Sequence, residues 1–152
     1  MFVKQSGASR GFSATAKLLA SFELKLGTTC NTQTCFQVKK DSGLWYSAEY
    51  SSFSLGPESD NYRLSVSGYS GDAGDAIVAP ANPALRVANG IQFSTPDRDN
   101  DNHPAECASQ DGWWYNCCSR CVINKDSSGA WNAVTDAWVA DVTDARMMVK
   151  LD

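Results

Sequence analysis

Hydrophobic and polar positions alternate in several short stretches of this chain, and the connections between them are brief. Phe22 to Leu26, FELKL, sets Phe22, Leu24 and Leu26 on one side and Glu23 and Lys25 on the other, the period of a half-buried strand. A polar turn over Gly27 to Cys35 leads into a second strand beginning at Phe36, FQVKK, and Leu44 to Tyr50 reads as a third. The loop SSFSLGPESDN follows. Tyr62 to Gly68 then alternates Tyr62, Leu64 and Val66 against Arg63, Ser65 and Ser67. Connections of this length leave no room for crossover helices, so the sheet is predicted to be mostly antiparallel.

Helical spacing is scarcer. Phe12, Ala16, Leu19 and Ala20 would share one face of a short helix with Ser13 as its cap. Trp131, Val134, Trp138 and Val139 suit a second helix, although Val139, Val142 and the run Met147 to Leu151 suit a closing strand instead. Tyr69 to Asn89 is broken by Gly71, Gly74, Pro80 and Pro83 and reads as loop. Residues 1–21 carry no committed element beyond that first helical face, and 22–152 read as one α+β domain. It would be a twisted, mainly antiparallel sheet with short helices and a long loop-rich segment.

Composition narrows the partners. The chain has 152 residues, enough to bury a core without metal or disulfide help, so its six cysteines ask for another reason. An even number with four clustered favours an oxidised, secreted framework. The start, MFVKQSGASRGFSATAKLLASF, lacks the apolar run of a secretory leader, which points either to an N-terminal region missing from this sequence or to cysteines working on metal. With 13 basic and 17 acidic residues and no basic run, nucleic acid is not an expected partner. No apolar stretch approaches the roughly 18 residues of a membrane helix.

The densest chemistry lies between Ser94 and Cys121, STPDRDNDNHPAECASQDGWWYNCCSRC. Asp97, Asp99 and Asp101 alternate, and hard oxygen ligands so spaced suit Ca²⁺, the competing reading being a solvated acidic turn with Arg98 offsetting some charge. An EF-hand is excluded, because its glycine and glutamate positions hold Asn102 and Ala108. Cys107 and Cys118 could form a bridge or, with Cys121 and His103, a zinc site. Cys30 and Cys35 could close a small loop across their turn or remain thiols. His103 is the chain's single histidine and has no nucleophile signature beside it, so no enzymatic activity is expected. Trp113, Trp114 and Tyr115 read first as core and second as a ligand platform.

Taken together, AEYSSFSLGPESDNYRLSVSGYSGDAGDA, NGIQFSTPDRDNDN, CASQDGWWYNC and ARMMVKL resemble the fibrinogen-related domain, the globular domain shared by fibrinogen chains, ficolins, tachylectins and angiopoietins. The resemblance implies that 22–152 is a partial fibrinogen-related domain lacking the family's N-terminal subdomain. It implies a calcium ion held by Asp99 and Asp101 with the carbonyls of His103 and Ala105, and a disulfide between Cys107 and Cys118. It also implies a cis peptide bond between Cys117 and Cys118 that turns the N–H groups of Cys118 and Ser119 toward an acetyl group, beside Asp111. Cys117 and Cys121 are extra to the family pattern: either they pair with each other in a tight additional loop, the favoured arrangement because it keeps Cys118 for Cys107, or Cys117 forms a vicinal bridge with Cys118 that displaces the family disulfide. Ser119 stands where the family usually has a histidine.

On this resemblance the chain is expected to be a secreted, calcium-dependent lectin for acetylated carbohydrate, serving innate immune recognition. The alternative is a module for a peptide or protein ligand, as in angiopoietins and fibrinogen. Homo-oligomers would form through the missing N-terminal region.

Overall fold

A computed structural model describes residues 2–3, 32–80, 87–105, 107–108, 112–119, 121–123, 131 and 142–150. Five strands form one sheet: β1 (Phe2–Val3), β2 (Thr34–Lys40), β3 (Trp45–Leu55), β4 (Leu64–Gly71) and β5 (Val142–Val149). Their order across the sheet is β1-β5-β2-β3-β4, and every neighbouring pair is antiparallel. The last strand therefore closes the sheet from its middle, against β2, where Phe36 pairs with Met147 and Val38 with Ala145.

The alternation of the sequence explains which face is covered. Phe36 and Val38 of β2 with Ala48 and Tyr50 of β3 are buried on one side, and Leu64 and Val66 of β4 are buried in the same core cluster. Against that side pack Ala76, Ile77, Ala88, Phe93, Trp113, Trp114 and Trp131 from the irregular segments. Phe36 meets Tyr50, Trp113 and Trp131 at ring-centroid distances of 5.9, 6.4 and 5.5 Å. Each such side chain contributes on the order of 1.5–3 kcal/mol on burial. Cys35 and Met148 pair across β2 and β5 and are also buried, so both sides of the sheet are covered at that end. The opposite end is open: Leu44 and Trp45 are exposed, with the Arg146 guanidinium 4.4 Å from the centre of the Trp45 ring.

Several expectations change in detail. Ser51 to Leu55 was expected to be loop, but these residues continue β3, because Phe53 and Leu55 face Val66 and Leu64 across β4. The strand expected at Tyr62 starts at Leu64. Asn61 and Tyr62 both take left-handed backbone (φ 49° and 50°), which ends a single 3₁₀ turn over Glu58–Asp60. That turn is the only helical segment among the described residues. The helix expected at Phe12 to Ala20 and the strand at Phe22 to Leu26 lie outside them, as does most of the stretch from Trp131 to Val139. Val142–Val149 is the closing strand.

Two glycines end strands or turns for different reasons. Gly43 has φ 80° in the β2–β3 hairpin with nothing within 4 Å of where a Cβ would stand. Gly71 has φ 117°, and a Cβ there would collide with the Ser47 carbonyl. Gly71→Ala is therefore expected to lower unfolding stability by at least about 2 kcal/mol, and Gly43→Ala by about 1 kcal/mol, measured as paired urea denaturation midpoints. Equal losses would contradict the close approach at Ser47.

Candidate functional site

The stretch singled out by its carboxylates and cysteines leaves the core and returns to it at one place. Ser94 and Trp113 exchange both backbone hydrogen bonds, Ser94 N–H to Trp113 O at 2.9 Å and Trp113 N–H to Ser94 O at 3.1 Å. Phe93 is anchored just before, its N–H donating to Asn61 O at 2.8 Å. Gly112 lets the returning chain cross the Phe93 ring, which would lie 2.8 Å from an added Cβ. The described residues between Thr95 and Gly112 thus belong to an excursion with closed ends.

Side chains then fix its path. Thr95 and Arg98 close a tight turn by mutual backbone bonds of 3.0 and 2.9 Å. Asn100 donates from its backbone to Ser94 Oγ (3.0 Å) and from its amide to Phe93 O (2.7 Å), and it accepts from Asn61 (3.1 Å). Asn102 is tied to Asn116 twice, backbone to backbone and side chain to side chain, both at 2.8 Å.

The carboxylates hold backbone rather than one another. Asp99 Oδ1 accepts the Asp101 N–H at 3.0 Å. Asp101 Oδ1 accepts the His103 N–H at 2.7 Å, and its Oδ2 accepts the Cys107 N–H at 2.9 Å. A carboxylate oxygen has two acceptor directions, so each of these keeps one for a cation. Asp97, Asp99 and Asp101 do not converge as a three-carboxylate cluster among the described residues. The oxygen donors at hand are Asp99, Asp101 and nearby carbonyls, a hard set. The Ala105 carbonyl is 2.9 Å from His103 Nδ1, which also lies 3.0 Å from the Ala105 N–H.

The cysteines meet the expectation drawn from the resemblance at Cys107 and Cys118 and depart from it at Cys117 and Cys121. Cys107 and Cys118 form a disulfide, which removes both sulfurs as thiolate ligands and with them the four-ligand zinc reading in this state. Cys35 is disulfide-bonded, while Cys30 lies outside the described residues. Cys117 and Cys121 do not pair with each other: both are free thiols. Cys117 is half-buried at the surface, whereas Cys121 is fully in the core with its sulfur 3.0 Å from Ser119 Oγ. The expected cis bond before Cys118 is also absent, since no described peptide bond is cis; Cys118 instead adopts φ 49°. Asp111 lies outside the described residues.

The aromatic wall is core. Trp113, Trp114 and Tyr115 are 1%, 1% and 5% exposed, which excludes them as an open platform. Trp114 donates its indole N–H to Tyr62 O at 2.9 Å and packs on Phe93 and Trp113. The Trp113 indole N–H has no aligned acceptor and lies beside the Cys121 sulfur.

Against the sheet lies a part-buried polar contact that sequence patterning does not flag. Tyr50 donates to Asp75 Oδ1 at 2.7 Å, and the same oxygen accepts the Val78 N–H at 3.0 Å. Burial first, and then the Asp75 carboxylate, push the Tyr50 phenol well above its usual range. Burial also pushes the Cys121 thiol up from 9.0 to about 11, with Ser119 opposing.

Because Cys121 holds its proton more tightly folded than unfolded, it favours the folded chain below about pH 9 and loses that effect as pH rises toward about 11. The contribution is of order 2–3 kcal/mol. Chemical denaturation at pH 8 and pH 10.5 is expected to show a smaller pH loss in Cys121→Ala than in the parent chain. Identical losses would contradict the buried thiol's role.

Residues 12–140 match the family described as fibrinogen beta and gamma chains, C-terminal globular domain. The mouse fibrinogen gamma chain is 44% identical over 97 residues, covering 58% of this chain and 22% of its own length. Among solved structures, a lamprey fibrin D-dimer complexed with the peptide ligand Gly-His-Arg-Pro-amide aligns at a TM-score of 0.61 and 28% identity, over 75% of this chain and 43% of that one. The fibrinogen-like globe domain of human ANGPTL2 aligns at 0.60 and 31%, over 77% and 56%. The chain thus spans about a fifth of that curated relative and about half of these globular structures. With its antiparallel sheet and stapled acidic loop, the chain belongs to the fibrinogen C-terminal globular domain family.

Proposed function

We propose that this domain is an extracellular recognition module of fibrinogen type that takes a peptide or protein ligand at the edge formed by Cys118 and Ser119. The observations that carry the reading are the family match and the Cys107–Cys118 bridge, which fixes the segment of half-buried Cys118 and buried Ser119. Its two consecutive backbone N–H groups would suit a ligand carbonyl or carboxylate. Disulfides at Cys107–Cys118 and at Cys35 support an oxidising, extracellular setting. The peptide ligand of the lamprey fibrin relative supports the ligand class. Recognition rather than catalysis fits His103, whose ring hydrogen-bonds within its own turn.

A second reading, a lectin for acetylated glycans with an innate immune role, rests on the same two donors facing an acetyl carbonyl. The burial of Trp113, Trp114 and Tyr115 favours the peptide over the sugar. Amide chemical-shift titrations of the isotope-labelled chain with Gly-His-Arg-Pro-amide and with N-acetylglucosamine separate the two. Shifts at Cys118 and Ser119 with the peptide alone support the first reading, with the sugar alone the second, and with neither they overturn this edge as a binding site.

Calcium completes the proposal. Asp99 and Asp101 with the carbonyls of His103 and Ala105 would hold the ion, whose charge would relieve the repulsion among the loop carboxylates. Asp101 also serves two backbone N–H groups, so its removal acts with or without the ion. Thermal melts are expected to show Asp99→Ala abolishing the calcium-dependent gain while lowering the chelated protein by only about 1 kcal/mol, through its single bond to the Asp101 N–H. Asp101→Ala should lower both states, by about 2 kcal/mol in chelator. A parent chain with the same melting point in calcium and in chelator would contradict the calcium assignment.

A further inference from the structure

Beside the oxygen donors lies a second set of a different chemical kind. A ring nitrogen of His103 and the sulfurs of Cys107 and Cys118 all fall within 4.8 Å of one another, each residue half-buried. While the disulfide is closed, neither sulfur is a thiolate and the corner holds no soft-metal site. We propose that reduction of the Cys107–Cys118 disulfide converts this corner into a His/Cys/Cys site for zinc or a cation of similar softness, with water in the fourth position.

Three observations carry this. First, the distances are small: in a tetrahedral zinc site with bonds of about 2.3 Å to sulfur and about 2.0 Å to nitrogen, ligand atoms stand roughly 3.3–3.8 Å apart. Side-chain rotation that parts the two sulfurs to this separation is enough. Second, the two cysteines are anchored independently of their bond. Cys107 is held through its N–H by Asp101 at 2.9 Å, and the strand leading to Cys118 is held through Asn116 on Asn102 and Trp113 on Ser94. Third, the imidazole is already oriented. Nδ1 accepts the Ala105 N–H at 3.0 Å and lies 2.9 Å from the Ala105 carbonyl, so the ring is held on its own turn before any metal arrives. Cys121 is not part of the site, because its thiol is buried against Ser119.

The chemistry balances with a phosphine or dithiol as reductant. It supplies two electrons, the S–S bond breaks, and each sulfur takes a proton, while the reductant leaves as phosphine oxide, with oxygen from water, or as a disulfide. Cation binding then releases the two thiol protons. Calcium prefers oxygen and zinc prefers nitrogen and sulfur, so the oxidised loop presents one kind of site and the reduced loop adds another. This inference is independent of the ligand edge at Cys118 and Ser119.

The test uses the whole chain, oxidised or reduced with a phosphine, titrated with Co²⁺ as a visible probe and then with Zn²⁺ as competitor. The reduced chain is expected to bind one equivalent with a thiolate-to-cobalt absorption band, and the oxidised chain none. Loss of a direct ligand exceeds the effect of losing an outer-shell partner, so His103→Gln should weaken binding more than about 100-fold, while Cys117→Ser and Cys121→Ser leave it unchanged. Near-ultraviolet circular dichroism of the buried tryptophans reports whether the reduced chain is folded. The inference is overturned if the oxidised chain binds equally, if His103→Gln binds like the parent, or if either free cysteine is required. It is also overturned if the reduced chain unfolds without recovering its fold on adding Zn²⁺, or if reduced chain in urea binds cobalt as tightly.

Discussion

Two hydrogen bonds between Ser94 and Trp113 are the constraint on which the rest of this domain depends. They join the segment entering the acidic loop to the segment leaving it, at a point where both are buried and where Trp113 is packed on Phe36 of the sheet. A loop whose ends are pinned to the core loses much of its conformational freedom before any side chain acts. The Asn100, Asn102 and Asp101 contacts then shape an excursion that is already closed. The Cys107–Cys118 bridge fastens its far part to the returning segment.

This arrangement lets one corner of the molecule hold three chemistries with little interference. The carboxylates of Asp99 and Asp101 are spent partly on backbone N–H groups, which keeps their oxygens in place. The sulfurs are bonded to each other on one side, and the thiol of Cys121 is kept protonated in the core on the other. Aromatic residues that would otherwise offer a sticky surface are used to support the loop from beneath.

The strands were legible where alternation was strong: FQVKK and YRLSVSG carry their buried sides openly. Ser51 to Leu55 was harder, because SSFSL next to Gly56 and Pro57 looks like turn chemistry. Only the partner strand, which puts Val66 and Leu64 opposite Phe53 and Leu55, makes it a strand. At the site, residue types and spacing pointed to the right cysteines for the loop staple once family resemblance was added, but not to the fate of the spare ones. Pairing Cys117 with Cys121 would keep Cys118 for Cys107, yet one side chain faces the surface and the other the core, which sequence distance does not report. The Tyr50–Asp75 contact joins residues 25 apart and leaves no local pattern at all. The backbone at Cys118 likewise follows from tertiary context, since no side chain there favours a left-handed conformation.

Native-state amide hydrogen exchange, run in calcium and in chelator, tests most directly whether the loop is an extension of the core. The Ser94 and Trp113 amides should exchange only by global unfolding in both conditions, with the same opening free energy as Phe36 and Leu64 in the sheet. Ser94 and Trp113 amides that exchange as fast as those of Asp99 to His103, or that are protected only when calcium is present, would contradict a loop pinned by the core.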